Sequence, residues 1–435
     1  MQSRRQRIDE QKRGLAEQRL AAVSLPAGGA WATAARQEAR QRLLDAGLPV
    51  RQDEYWRFTN PGLFTDAGVA AAELLPADDR EAVFAGVDCL RIVFVDGVFD
   101  AARSGDLAAA GIEIERLADA ATRDIHWARE LYGKLEAQCQ SPVARPLATL
   151  NTATAGDGLV IRVGKPVERP VSVSYLRKDA GAEAVLHHVI RLEPGSRLTL
   201  LEDGPGAARF SSVAEVEVGD GAAFHHVRVQ GRDHGRQAVT ALFVRLGTAS
   251  VCKSFTLTAN GRLTRNEVMA ELTGREGVLH VAGAAVGDGT AFHQDDTVFI
   301  THAAERCESR QVFKKVLRRG AVGVFQGKIL VHPEAQLTDG YQISQALLLD
   351  ESCQFLAKPE LEIYADDVKC SHGSTSGAID PDMLFYLRAR GIGIEEAQRL
   401  LVLAFLAEAL DEIEDETLAE EIRRRLAGWL ERHRA

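Results

Sequence analysis

Between residues 147 and 375, apolar runs of four to eight residues follow one another, separated by Gly or Asp, with almost no helical periodicity. Such runs predict strands joined by tight turns. The joints recur. Glu193-Pro194-Gly195, Gly219-Asp220-Gly221 and Leu246-Gly247 place glycines about 26 residues apart, and Arg275-Glu276-Gly277 brings the next one about 30 residues later. A sustained repeat of this size predicts stacked coils, because one coil of strands cannot bury its apolar face alone. A β-solenoid or parallel β-helix fits this pattern better than a sandwich. At its far end Gln354, Phe355 and Leu356, then Leu361, Ile363 and Tyr364, alternate with polar residues like a half-buried ribbon.

The flanks read differently. Residues 1–50 carry Leu15, Leu20, Leu43 and Leu44 at helical spacing, broken by Pro26 and Gly28-Gly29, which predicts two helices. Glu54 to Pro61 is a dense aromatic cluster ending in a proline turn, expected to plug the join between helices and sheet. Leu90 to Phe99 reads as a hairpin turning at Asp96-Gly97. Thr122 to Gln138 reads as a helix, and Pro142 and Pro146 mark a boundary. Beyond the strands, Asp380-Pro381 signals a helix start, and Gly391 a stop. Two further helices follow, over Glu395–Leu410 and through Leu418, Ile422, Leu426 and Leu430 beside Trp429. The expected division is 1–145, helical and mixed; 146–378, β core; 379–435, helical. The apolar surplus of the last part suits either a cap on the solenoid or docking onto another protein.

Charge and cysteine usage narrow the function. The 435 residues carry a formal charge of −10, which argues against non-specific nucleic-acid binding. No apolar run approaches the roughly 20 residues needed to cross a bilayer. The segment 1–20 holds six Lys/Arg and three Asp/Glu without an apolar stretch, so it reads as a solvated helix, not an export signal. Six scattered cysteines without C-x-x-C indicate free thiols in a reducing compartment, hence a cytoplasmic protein.

The candidate chemistry lies in Asp366-Asp367-Val368-Lys369-Cys370-Ser371-His372-Gly373. Cys370 and His372 stand two apart, which in extended backbone puts both on one face. A thiolate with a neutral imidazole suits iron or zinc, and also redox or nucleophilic work. The alternative is a small packed Cys beside a solvent-facing His. His187-His188, His225-His226, His280, His293 and His302 suggest a metal ladder, yet neighbours on a strand face opposite ways. Polar, satisfied rungs are the simpler expectation. For the same reason Asp295-Asp296 is a poor carboxylate pair, which weakens a second reading, a β-helix polysaccharide lyase or hydrolase. No G-x-x-x-x-G-K-[ST] motif is present.

Residues 358–392, KPELEIYADDVKCSHGSTSGAIDPDMLFYLRARGI, resemble the C-terminal signature of the SufD family, scaffold subunits of the SUF iron–sulfur cluster assembly system. Glu54-Tyr55-Trp56-Arg57-Phe58-Thr59 resembles the E-x-W-[KR]-[YF]-T signature near the N-terminus of that family. With the repeat between them, the likeness spans the chain. It implies a mainly β fold, a right-handed parallel β-helix core with an N-terminal helical and mixed region and a C-terminal helical domain. It also implies a non-catalytic subunit that pairs with the paralogue SufB through the β-helices and binds the SufC ATPase through the C-terminal helices. Tyr386, Arg390, Ile392, Leu400 and Phe405 are the residues expected to meet SufC. A nascent, transient cluster is expected at the SufB–SufD interface, with His372 as a ligand and Cys370 in the same motif. A reduced flavin in the complex, and a homodimer without SufB, are compatible with the likeness. SufB carries an essential cysteine upstream of the one resembling Cys353; here Ile343-Ser344-Gln345-Ala346 has none. SufB also has glutamate near the position of His372. Both departures favour SufD, and imply that this chain alone holds no complete cluster site.

Overall fold

The structure is a computed structural model that describes residues 3–74, 83–204, 206–231 and 233–433. From Leu159 to Gly377 successive strands alternate between two sheets, and each pairs in parallel with the strand two further along. Glu183 pairs with Arg209, Val278 with Glu308 and Val322 with Gln354, so each coil advances the chain by about 26 to 32 residues. The sequence repeat is therefore the coil length, and the result is a parallel β-solenoid of about seven turns.

The turns stack as regularly as the strands. Gly195, Gly221, Ala249, Glu276, Arg306 and Leu337 all adopt φ between +51° and +72°. The N–H of each of the first five goes to the carbonyl just before its counterpart in the next coil: Asp220, Thr248, Arg275, Glu305 and Gln336. Glycine takes this conformation freely, whereas the later L-residues hold it at a cost of about 1–2 kcal/mol each, offset by the inter-coil bond. From Ala249 onward the corner no longer falls on glycine, so the glycine joints at Gly247 and Gly277 lie two residues before and one residue after it, and the repeat reads as irregular after 277. The left-handed corner persists, but glycine no longer marks it.

Except at the last coil, both faces of both sheets are covered, as parallel sheets require. The lumen is lined by Ile161, Leu186, Leu198, Phe224, Leu242 and their neighbours, all at or near zero exposure. Helix Pro146–Thr154, wholly buried, and the segment around Tyr132 cover the outside of the second sheet, the one ending in Gln354–Ile363; the first ends in Lys369–Gly377. Helices Ile394–Leu410 and Glu416–Arg432 cover the outside of the first, through Val402, Leu406, Ile422, Leu426 and Trp429. The apolar surplus read in these helices is thus largely spent on the chain's own solenoid. The hairpin Leu90–Val95/Val98–Phe99 turns at Asp96-Gly97, and its first strand pairs in parallel with Val171–Leu176. Glu113–Arg116 pairs antiparallel with Leu159–Val163, so each sheet ends at this first end in a short antiparallel strand.

One predicted helix differs. Residues 122–138 form a 3-10 turn, Trp127–Glu130, and a short helix, Lys134–Gln138, separated by Gly133 at φ +70°. The buried Glu215 carboxylate accepts the N–H groups of Gly133 and Glu136, donors that a continuous helix would have used internally. The C-terminal helix signals match the structure. Asp380 caps Pro381–Ala389 by accepting from the N–H groups of Asp382 and Met383, and Gly391 stands at φ +86° just beyond it. No helix among the described residues is long and apolar enough to cross a membrane.

Candidate functional site

The opposite end of the solenoid is bare. Gln354–Ile363 and Lys369–Gly377 are the last strands of the two sheets, each paired on one side only. Lys369–Gly377 is almost entirely exposed and Gln354–Ile363 mostly half-buried, whereas one coil earlier Val322–Val331 is mostly buried and Asp339–Leu348 is buried along its inward row. Pro359 removes one N–H from the second-sheet edge. The first-sheet edge, KCSHGSTSG, keeps all its donors.

Strand alternation puts Cys370, His372, Ser374 and Ser376 on the inward row, directly above Gly340, Gln342, Ser344 and Ala346. The shared face expected for Cys370 and His372 is there, but their surroundings differ. Cys370 sits over Gly340, where a Cβ would lie 3.2 Å from its sulfur, and packs beside Ile329, Val331, Ala335 and Ala365. Burial pushes its thiol pKa up. His372 is exposed and makes no hydrogen bond among the described residues. Ser374 is occupied by Ser344, 2.6 Å away. Cys353, at the start of the neighbouring edge strand, is buried, its thiol likewise raised by burial.

Below this end the lumen turns polar. Gln342 Nε2 donates to Gln311 Oε1 at 2.9 Å, and Lys315 meets Asp296 at 2.5 Å and also Gln294. Deeper still, Tyr175 donates to Glu202 at 2.5 Å, with His226 and Arg228 on the same carboxylate. Burial works against the Glu202 charge, but Arg228 and His226 overcome it and hold its pKa well below the usual range. Burial lowers His188 to about 4.

The histidines are partnered rungs, although His302 Nδ1 is left unmatched. His187 and His226 pair with Glu215 and Glu202, His293 with Thr59, and His302 with Ser309. Asp295 and Asp296 point to opposite faces: Asp295 meets Arg265 at 2.6 Å outside, and Asp296 meets Lys315 in the lumen. They form no carboxylate pair of the kind a glycosidase needs. Among the described residues, Glu113, Glu115 and His126 bring three possible metal ligands together, but Arg123 and Trp127 already engage the two carboxylates.

Two surfaces flank the bare end. The aromatic motif reaches it from the N-terminal side: Tyr55 donates to Glu360, Lys358 meets Glu54 at 2.5 Å, and its ammonium lies 4.0 Å from the centre of the Tyr55 ring. Trp56 stacks on the buried Arg265 at 4.0 Å. On the other side, helix Pro381–Ala389 buries none of its residues and exposes Met383, Phe385 and Tyr386. Arg390 stacks on Tyr386 at 4.4 Å, Ile392 is half-buried and Leu400 exposed. Phe405 is half-buried beneath Lys314, 4.8 Å from its ring centre.

Sequence reasoning missed the ladder that docks these helices. His225, Lys253, His280 and Arg310 occupy one outward column on four successive coils. Lys253 meets Glu414 at 2.6 Å, His280 meets Glu412 at 2.7 Å, and Lys314 meets Glu408. The intervals between the four column residues match the coil length, the one signal that would have aligned them.

The fold and the candidate site define a β-solenoid whose exposed imidazole stands on a terminal coil paired on one side only. The chain belongs to the SufBD family of the SUF iron–sulfur cluster assembly system. The profile described as "SUF system FeS cluster assembly, SufBD core domain" matches residues 175–405, and that of the SufBD N-terminal region matches 27–173. The chain is 29% identical over 404 residues to the iron–sulfur cluster assembly protein SufD of Escherichia coli K12, covering 91% of this chain and 92% of the relative. It is 28% identical to a SufBD family protein of Synechocystis, covering 87% and 86%. It is also 28% identical to SufD of Bacillus subtilis, covering 66% of each.

Proposed function

We propose that this chain is a SufD-type scaffold subunit, non-catalytic itself, that pairs through its bare solenoid end with SufB and contributes His372 to a nascent cluster at the interface. The observation that carries the reading is His372: an exposed imidazole without a hydrogen-bond partner among the described residues, on the inward row of a coil with nothing stacked above it. One imidazole cannot hold a cluster, so the remaining ligands come from the partner. A parallel edge of nine residues, none of them proline, offers that partner a ladder of outward-facing N–H and C=O groups. The edge is also exposed enough for the assembled cluster to leave when the pair opens. Cys370 shares the row, but a raised thiol pKa and apolar neighbours suit packing better than ligation in the unpaired chain. A cytoplasmic, reducing setting accords with the six free thiols.

The exposed apolar face of Pro381–Ala389 is the site we assign to the SufC ATPase, with Tyr386, Arg390, Ile392 and Leu400 at its centre; Phe405 anchors the same unit to the solenoid. A reduced flavin would serve the complex as electron source, and no residue here is assigned to it. The test is anaerobic reconstitution of this chain co-expressed with SufB and SufC, wild type against His372→Ala. Iron per complex and visible absorbance are read, with size exclusion reporting assembly. Loss of iron from an intact complex is the expected result. Unchanged loading and delivery would move the chemistry wholly to SufB.

A further inference from the structure

We infer that Gln342 is the positioning residue for His372, accepting the imidazole N–H so that the other ring nitrogen faces out of the solenoid end. The inference rests on the reading of His372 as a cluster ligand. An imidazole that ligates through one nitrogen has to place its second N–H on an acceptor, which fixes tautomer and ring orientation. Along the strand carrying His372, Ser374 is already engaged with Ser344, and Cys370 is turned into an apolar pocket. Directly beneath His372 in the parallel ladder, one strand spacing of about 4.8 Å away, lies Gln342.

Gln342 is fully buried, and its amide is held from two sides. Nε2 donates to Gln311 Oε1 on the coil below. The backbone of Gly327 closes the other side so tightly that a Cβ there would stand 2.4 Å from Nε2. The remaining atom, Oε1, is buried without a hydrogen-bond partner. A buried, unmatched acceptor costs about 1–3 kcal/mol, and a donor from the next place in the row would remove that cost. Only His372 occupies the next place in that row. With its N–H directed down onto Gln342, the free nitrogen points along the solenoid axis toward whatever chain covers the end.

The test uses the full chain with Gln342→Met, of similar volume but no acceptor, and Gln342→Glu, which keeps one. In the free chain labelled with 13C-histidine, His372 is identified by its loss in His372→Ala. Gln342→Glu is expected to raise its imidazole pKa by about one unit or more, as an adjacent carboxylate does. In the complex with SufB and SufC, Gln342→Met is expected to lose iron to a chelator about 10–100-fold faster than wild type, with Gln342→Glu close to wild type. Wild-type iron retention in Gln342→Met, or a His372 titration unmoved by Gln342→Glu, would overturn the positioning role. If Gln342→Met does not fold, the Gln342→Glu titration still decides. Wild-type retention in His372→Ala would instead remove the ligand reading, while the free-chain titration still reports on the Gln342 contact.

Discussion

Arg265 offers the sharpest test of how the N-terminal motif supports the bare end. Its guanidinium is fully buried and bonds Asp295 at 2.6 Å, Glu267 at 3.0 Å and the Tyr55 carbonyl at 2.9 Å, with Trp56 stacked on it. Arg265→Met keeps the volume but leaves two buried carboxylates. Glu267 retains Arg145 at 3.8 Å, whereas Asp295 keeps only Thr59, Thr297, Gln326 and a neighbouring histidine. Breaking a buried pair in this way costs about 3–5 kcal/mol. Adding Asp295→Asn should recover on the order of 1–2 kcal/mol, because it removes the orphaned charge, a coupling of usual size for contacting groups. Burial alone would raise Asp295, but Arg265 and Thr59 hold its pKa below the ordinary value. The contribution is therefore present above the unfolded carboxylate pKa and lost as pH falls through the folded one. The deficit of Arg265→Met should narrow below about pH 4. Urea denaturation at pH 7 and pH 3 measures these differences. Hydrogen exchange should also show faster opening at Gln354–Ile363, the strand that Tyr55 and Glu54 hold through Glu360 and Lys358. A cost below about 1 kcal/mol, or a double variant no milder than the single one, would refute the reasoning.

Two further outcomes follow from the same geometry. Burial lowers His302 to about 4 from an ordinary 6.5, so between those values the unfolded state binds a proton that the folded state does not. Stability should then fall as pH drops below about 6.5, and His302→Gln should flatten the slope by about 1 kcal/mol per pH unit near pH 5, read by thermal or urea unfolding; an unchanged slope would contradict this. Phe385, 73% exposed on a helix with no buried residue, should tolerate Phe385→Asp within about 0.5 kcal/mol of stability, yet weaken SufC binding more than tenfold by calorimetry.

Much of this architecture was legible because it is local or periodic. Alternation along strands, the recurring glycine joints, the Asp96-Gly97 turn and the Asp380-Pro381 cap each depend on a few neighbouring residues, so they survive without knowledge of the fold. The K-C-S-H-G stretch and its shared face were equally visible. What a side chain meets across coils was not. Only the register sets Cys370 over Gly340 in an apolar pocket and His372 over a buried, unmatched Gln342. Only tertiary docking breaks the helix expected over 122–138, through the carboxylate of Glu215, which lies far along the chain on another element. The same docking spends the apolar face of Ile394–Leu410 on the chain's own sheet. Sequence by itself thus determined the coil, its length and the residues able to bind metal. Coil register and the packing of the flanks decided which of them stand free, because burial and partnership come from contacts between residues far apart in the chain, which a one-dimensional pattern does not record.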